Sequence, residues 1–159
     1  MLVRDVMTGG AEAIGPNDTL ETAARSMKEH EVGALVVREG EQVLGMITER
    51  DIVVRGVAEG LDPARATVAS TMTLQLVVCS DDEPIETAAR HMEQAAVRRA
   101  LVLDGARNAV GMLSIDDVAL RAPALAGEIL ESVRAPERSP YPAHGGPWSW
   151  WEHVPATPP

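Results

Sequence analysis

The chain has 159 residues, of which 45% are apolar, and a formal net charge of −10. This length and composition suit one compact domain or two small domains that pack closely. The acidic charge excludes most proteins that bind phosphate backbones or anionic lipid, so we expect no nucleic-acid and no membrane partner.

The single cysteine, Cys79, excludes an intramolecular disulfide and a cysteine-based zinc site. The N-terminus lacks the apolar region of a signal peptide, and no segment approaches the roughly 18 apolar residues of a membrane span. We therefore expect a cytoplasmic protein. The four histidines are scattered without partners at metal-ligand spacing, which predicts no metal site: His30, His91, His144 and His153.

An internal repeat organises the chain up to Arg121. The pentapeptide Glu-Thr-Ala-Ala-Arg occurs at 21–25 and recurs unchanged at 86–90, an offset of 65 residues. An offset of 66 pairs 45–51 with 111–117, so one copy carries an extra residue between these matches. Both stretches that could hold it are rich in turn formers, where insertions are tolerated. A tandem repeat of about 60 residues per copy follows.

Each copy predicts the order β-α-β-β-α. In the first helix, apolar residues recur at the i, i+3, i+4, i+7 positions of an amphipathic helix, and Asp18 with Glu21 resembles a capping box at its start. Neither small sheet can bury both faces alone, so the copies should pack against each other. The predicted elements of the first copy are 12–14, a helix from Leu20, 34–37, 43–47 and 49–57. Those of the second copy are 76–78, a helix from Pro84, 100–103, 109–113 and 115–120.

These patterns predict an α/β (α+β) fold in which two motifs form a pseudo-twofold pair. The expected units are motif 1 at 1–60, motif 2 at 61–123 and a C-terminal extension at 124–159, which starts with a short helix up to Arg134. The extension ends in a Pro/Gly-rich tail that holds every tryptophan of the chain: Trp148, Trp150 and Trp151. Its proline content favours a disordered tail. The cost of exposing three indoles favours docking on a groove of this protomer, of a dimer mate or of a client protein.

The repeat resembles the CBS motif. The Met-Thr start, the helix at 20–25 and the endings Gly-Met-Ile-Thr-Glu-Arg-Asp-Ile at 45–52 and Gly-Met-Leu-Ser-Ile-Asp-Asp-Val at 111–118 carry the resemblance. Two such motifs form a CBS pair, or Bateman module, and the linker at 56–63 is similar to that of small actinobacterial CBS-pair proteins of the hypoxic-response type. The resemblance implies a non-enzymatic regulatory module without a required cofactor. It also implies homodimers, a client protein and AMP, ADP, ATP or S-adenosylmethionine as ligand.

The resemblance also implies two ligand clefts, each built around a Thr/Ser-x-x-Asp element. In that family the hydroxyl contacts phosphate and the carboxylate holds the ribose hydroxyls. The same residues form an ordinary capping box, and both roles are compatible because the cap lines the cleft. The main site is then expected at Thr48, Arg50, Asp51, Val78, Arg98, Arg99 and Ala100. The weaker second site is expected at Ala13, Gly33, Ala34, Ser114 and Asp117.

Charge predicts that the two clefts differ. Arg50 stands beside Asp51 and favours a phosphate, whereas Asp116 stands beside Asp117 and repels one. Arg98 and Arg99 would add cations to the Asp51 cleft, although both are also typical of a solvated strand end. For the adenine ring, Met46 and Met112 are further candidates, with a core role as their alternative.

Three functional hypotheses follow from the sequence. The first is a ligand-sensing regulatory module, and the second is a CBS-pair scaffold that binds no ligand and acts in dimerisation or protein interaction. The third is an enzyme or redox protein that acts through Cys79. This last hypothesis requires an exposed thiolate with a low pKa, but Cys79 lies in the apolar run 76–79, where a buried small hydrophobe is expected.

Overall fold

The computed structural model describes residues 1–134, which form two small sheets and five α-helices. The strands are β1 (Thr8–Gly9), β2 (Ala13–Ile14), β3 (Ala34–Glu39), β4 (Gln42–Thr48), β5 (Val78–Ser80), β6 (Arg99–Leu103) and β7 (Ala109–Ser114). The helices are α1 (Leu20–His30), α2 (Glu49–Asp51), α3 (Ile85–Gln94), α4 (Ile115–Arg121) and α5 (Pro123–Arg134). This confirms the mixed α/β fold. No helix within residues 1–134 has the length and apolarity needed to cross a membrane.

The two motifs repeat the same strand pairing. In the first, β2 pairs in parallel with β3, which pairs antiparallel with β4. In the second, β5, β6 and β7 repeat these pairings. Each hairpin even carries its register shift at the equivalent place, after Val37 and after Val102. The structure thus confirms the pseudo-twofold pair of motifs.

The Met-Thr segment of each motif crosses to the sheet of the other motif. Strand β1 is hydrogen-bonded to β7, with Thr8 opposite Met112, and Thr73 forms the matching bridge to Met46. Val3, in a short 3-10 turn before β1, is fully buried in the core of the second motif. The packing of the two motifs is therefore reciprocal, because each contributes a segment to the sheet of the other. The boundary between the motifs at residues 60 and 61 stays a prediction.

The helix starts differ in part from the sequence prediction. The capping box of Asp18 and Glu21 was predicted wrongly, because Thr19 is the N-cap of α1 and its hydroxyl accepts from the Thr22 N–H at 3.1 Å. Asp18 instead accepts from the Gly15 N–H at 2.8 Å and closes the preceding turn. The helix predicted at 49–57 is α2 followed by a wider π-helix, Ile52–Val57. The short strand predicted at 76–78 is shifted to Val78–Ser80, and the predictions for the tryptophan tail lie outside the described residues.

Candidate ligand site

The element Thr48-x-x-Asp51 lies where β4 ends and α2 begins. The Asp51 N–H donates to Thr48 Oγ1 at 3.2 Å, while the Thr48 N–H and hydroxyl donate to Asp51 Oδ2 at 2.9 and 2.8 Å. This is a complete capping box. Asp51 is only 8% exposed, one of the few buried polar residues. The carboxylate is therefore held in one orientation by its own turn.

The second oxygen of Asp51 faces the Met-Thr segment of motif 2 and an arginine of the π-helix that follows α2. The Thr73 hydroxyl donates to Asp51 Oδ1 at 3.4 Å, and Arg55 Nη1 lies 3.7 Å from the same oxygen. The Arg55 guanidinium is itself held by the carbonyl oxygens of Thr71 and Met72, at 3.2 and 3.3 Å. A cation and a hydroxyl from the Met-Thr segment thus complete the surroundings of this carboxylate.

The equivalent element of motif 2 is built in the same way but lacks the cation. Ser114 donates to Asp117 Oδ2 through its N–H and its hydroxyl, at 2.8 and 2.6 Å. The Thr8 hydroxyl donates to Asp117 Oδ1 at 3.2 Å. Within residues 1–134, no ion pair within 4.0 Å is formed by Asp117, whereas Asp51 has Arg55. Arg121, the repeat counterpart of Arg55, is exposed.

Arg99 connects the two motifs. Its backbone pairs with Ser114 in motif 2, yet its guanidinium extends to motif 1. Arg99 Nη2 and Glu49 Oε2 each lie 3.0 Å from the point that a Cβ on Gly33 would occupy. A side chain at position 33 would therefore require both of them to shift by a few tenths of an ångström. These residues form part of an open groove of about 620 Å³, here called the Arg99 groove, which is lined by Ala24, Met27, Lys28, Glu31, Val32, Gly33, Glu49, Ile52, Val53 and Arg99.

The other candidate residues are distributed over both hairpins. Within the described part of the chain, Arg50 and Arg98 are exposed and form no ion pair. Ala34 pairs with Thr48 in the first hairpin, and Ala100 pairs with Leu113 in the second. The remaining two lie on the short parallel strands, Ala13 opposite Val36 and Val78 opposite Leu101. The structure thus brings Gly33, predicted for the second site, next to Arg99, predicted for the main site.

The structure is a reciprocal pair of β-α-β-β-α motifs, and in each motif a Thr/Ser-x-x-Asp element caps the last helix. The sequence matches the family model of the CBS domain at residues 3–56 and 68–123. The chain belongs to the CBS domain family. It is 35% identical over 133 residues to Hypoxic response protein 1 of Mycobacterium tuberculosis, with 83% of this chain and 91% of that protein covered.

Two solved CBS structures are informative. A crystal structure of Hypoxic Response Protein I with two coordinated zinc ions is 35% identical, with a TM-score of 0.66, and the match covers 77% of this chain and all of that one. The CBS domain pair of MJ0100, in complex with 5-methylthioadenosine and S-adenosyl-L-methionine, shares the fold at 23% identity. Its TM-score is 0.67, with 76% and 94% of the two chains covered.

The described part of this CBS pair supplies no ligand set for zinc. Within residues 1–134, no three His, Cys, Asp or Glu side chains are placed to hold one metal ion. The ring nitrogens of His30 and His91 each lie near a single carboxylate, Glu12 at 3.6 Å and Glu83 at 3.7 Å. The other two histidines lie outside the described residues.

Cys79 is buried in β5, where its thiol points to the Leu101 carbonyl oxygen at 3.7 Å. Burial, assisted by the nearby Glu83 carboxylate, raises the pKa of the Cys79 thiol to about 12. A thiol with this pKa is protonated at neutral pH and a poor nucleophile. The observation disfavours the redox hypothesis.

Sequence reasoning missed four residues of the candidate site. Thr8 and Thr73 donate to the two Asp carboxylates, Arg55 lies beside Asp51, and Glu49 faces Gly33. The repeated Met-Thr pair and the repeated Arg55 and Arg121 were visible signals. Their partners were not visible, because Thr8 and Asp117 are 109 residues apart in sequence.

Proposed function

We propose that this CBS pair is a regulatory module that binds an adenine nucleotide or a related adenosyl ligand between its motifs and signals to a partner protein. One observation carries the proposal: a buried, oriented carboxylate, Asp51, lies in the turn that follows β4, and Arg99 of the other motif lies near Gly33 together with Glu49 of the same turn. A site of this kind draws a hydrogen-bond acceptor from one motif and a cation from the other. A ligand that contacts both would therefore bridge the motifs.

The Asp51 carboxylate suits a ribose ring. An ionised carboxylate accepts hydrogen bonds only, and its two oxygens are spaced to receive two vicinal hydroxyls. Two of its present donors are hydroxyls, those of Thr48 and Thr73. The 3.4 Å bond from Thr73 is long and hence weak. Ligand hydroxyls can replace these donors without leaving an unpaired acceptor, and the Thr48 hydroxyl is then free to donate to a phosphate.

Arginines beside this turn suit the phosphate. Arg99, Arg98 and Arg50 are the candidate cations, and guanidinium groups bind phosphate oxygens in pairs. The Glu49 carboxylate would repel the phosphate here, because Glu49 Oε2 lies as close as Arg99 Nη2 to the point that a Cβ on Gly33 would occupy. An anionic ligand should therefore turn Glu49 outward, which its exposed side chain permits. We place the adenine ring against Val78 and Ala100, with Met46 as a further wall.

The two clefts should differ in affinity. The Asp51 cleft has Arg50 in its helix and Arg55 at 3.7 Å from the carboxylate, whereas the Asp117 cleft has Asp116. The second site, at Ala13, Gly33, Ala34, Ser114 and Asp117, is therefore weak or empty, or takes an uncharged ligand. The complex of MJ0100 supports the adenosyl class, because the same fold holds two adenosyl compounds in that protein.

A ligand-free scaffold is the second candidate function. It is favoured by the fact that each Asp carboxylate already accepts a hydrogen bond on both oxygens, so neither turn needs a ligand to be satisfied. In this alternative the pair serves as a homodimer or as a platform for a client protein.

A thermal-shift screen with AMP, ADP, ATP and S-adenosylmethionine separates the two candidates. The native chain is compared with Asp51→Asn and with the matched control Asp117→Asn, which removes the same charge from the other cleft. A ligand at about 100 times its Kd adds roughly 2.7 kcal/mol, a shift of several degrees in Tm. We expect the shift to be lost in Asp51→Asn and retained in Asp117→Asn. A cooperative melt that no ligand moves would contradict the proposal and favour the scaffold.

A further inference from the structure

Helix α5 covers one helical surface of the CBS pair. It packs against α3 and α4 of motif 2 and buries Ala126 and Ile129 in the core, at 4% and 0% exposure. The pseudo-twofold repeat places α1 and the π-helix of motif 1 in the positions that α3 and α4 hold in motif 2. Motif 1 therefore presents a second surface of the same kind.

This second surface has no counterpart of α5 among residues 1–134. Its apolar side chains face outward: Val53 is 57% exposed and Val57 is 61% exposed, and Ala24 of α1 is also exposed. Val53 and Ala24 line the Arg99 groove. An exposed aliphatic strip beside an open groove indicates a docking site.

We propose that the tryptophan segment of this chain, Trp148 to Trp151, folds back and docks in the Arg99 groove when no nucleotide occupies it. The three indoles are the only tryptophans of the chain, and leaving them in water is unfavourable. The groove has an apolar base and two cations at its rim, Lys28 and Arg99. Cations over indole faces and aromatic anchors in apolar pockets are recurrent features of docking sites.

The chain between α5 and the tryptophans is long enough for this contact. Trp148 lies 14 residues beyond Arg134, the end of α5. A Pro-rich segment of that length extends to about 43 Å at 3.1 Å per residue. A compact domain of this size has a diameter of roughly 36 Å. The tryptophans can therefore reach motif 1 of the same protomer.

Charge also favours this occupant. The groove rim carries Lys28 and Arg99 together with Glu31 and Glu49, so it is locally balanced within a chain of net charge −10. Glu152 follows the last tryptophan directly. An acidic residue in the docked segment meets two cations at this rim, whereas the acidic surface elsewhere would repel it.

Tryptophan fluorescence of the full chain reports on the tail alone, because no tryptophan lies elsewhere. The native chain is compared with Val53→Glu and Ala24→Glu, both at exposed groove positions, and with the control Leu120→Glu, an exposed position on α4 with 82% exposure. Circular dichroism and melting verify that each variant folds. We expect blue-shifted, quencher-protected emission in the native chain and in Leu120→Glu. The two groove variants should show the emission of the denatured chain.

Three outcomes would overturn the proposal. Native emission equal to that of the denatured chain would mean that the tail is solvated. Protected emission that both groove variants retain would place the tryptophans elsewhere. Protection that is lost on serial dilution would mean that the tail docks on a second copy of the chain.

Discussion

Two glycines allow the motifs to interlock. A Cβ at Gly45 would lie 2.5 Å from the Thr73 carbonyl oxygen, and one at Gly111 would lie 2.6 Å from that of Thr8. Both contacts are with backbone atoms that the inter-motif bridges hold in place. The backbone must therefore shift to admit a methyl group.

Gly45→Ala should lower the free energy of unfolding by about 1 to 3 kcal/mol, the usual cost of overpacking. Chemical denaturation measures this change. Gly127→Ala is the matched control, because a Cβ at this exposed position of α5 meets nothing within 4 Å. This control should stabilise the chain by roughly 0.5 to 1 kcal/mol, the helix propensity of Ala over Gly. Equal effects at the two positions would contradict the interlock.

The second prediction for a single residue concerns the buried carboxyl group of Glu83. Its Oε1 is buried without a hydrogen-bond partner, and burial raises the pKa of this carboxyl. Because the pKa is raised in the folded state, protonation of Glu83 stabilises the fold. This stabilisation is fully present below the pKa of the unfolded chain, about 4.3, and is lost as the pH rises through the pKa of the folded chain. Ionised Glu83 is thus destabilising at neutral pH.

Glu83→Gln should therefore raise the unfolding free energy at pH 7, and the difference should disappear as the pH falls below about 4. Denaturation curves across this pH range test it, with the exposed Glu128→Gln as control. A Glu83→Gln variant that is less stable than the native chain at pH 7 would show that another interaction, such as the one with His91 at 3.7 Å, dominates.

At the scale of elements, strand β1 was not predicted, whereas the order β-α-β-β-α within each motif followed from the sequence because periodicity is a local property. The same holds for α5, which was predicted up to Arg134 and is observed at Pro123–Arg134. Errors occurred where two local choices compete. Thr19 and Asp18 are both N-cap residue types, and only the turn at Gly15 decides between them. The π-helix after α2 was not predicted, since its sequence also suits an ordinary helix.

The sequence did not indicate that the N-terminal segment packs into motif 2. This segment belongs to motif 1 by repeat, yet Val3 is buried in the core of motif 2. We expect Val3→Ala to lower the unfolding free energy by about 2 kcal/mol, through lost burial and the cavity it leaves. Val57→Ala, at an exposed position, should stay within roughly 0.5 kcal/mol of the native chain. A neutral Val3→Ala in a thermal or urea melt would contradict this packing.

At the scale of the whole molecule, the sequence predicted the local parts of the candidate site but not the contacts between the motifs. Each Thr/Ser-x-x-Asp turn is local and follows from sequence and repeat. The contacts across the motifs, Thr8 with Asp117 and Arg99 with Gly33 and Glu49, depend on how two sheets meet. The asymmetry of charge was visible in Arg50 and Asp116. Arg55 strengthens it through a contact that only the fold supplies.

Isothermal titration calorimetry with AMP tests the cross-motif site most directly, because it measures affinity and the number of sites together. The native chain is compared with Arg99→Gln and with the control Arg90→Gln, an exposed position on α3. We expect one strong site per chain, weakened roughly 10- to 100-fold in Arg99→Gln, as for a lost hydrogen bond to a charged group. Arg90→Gln should bind as the native chain does. Two equal sites, or an affinity unchanged by Arg99→Gln, would contradict the account.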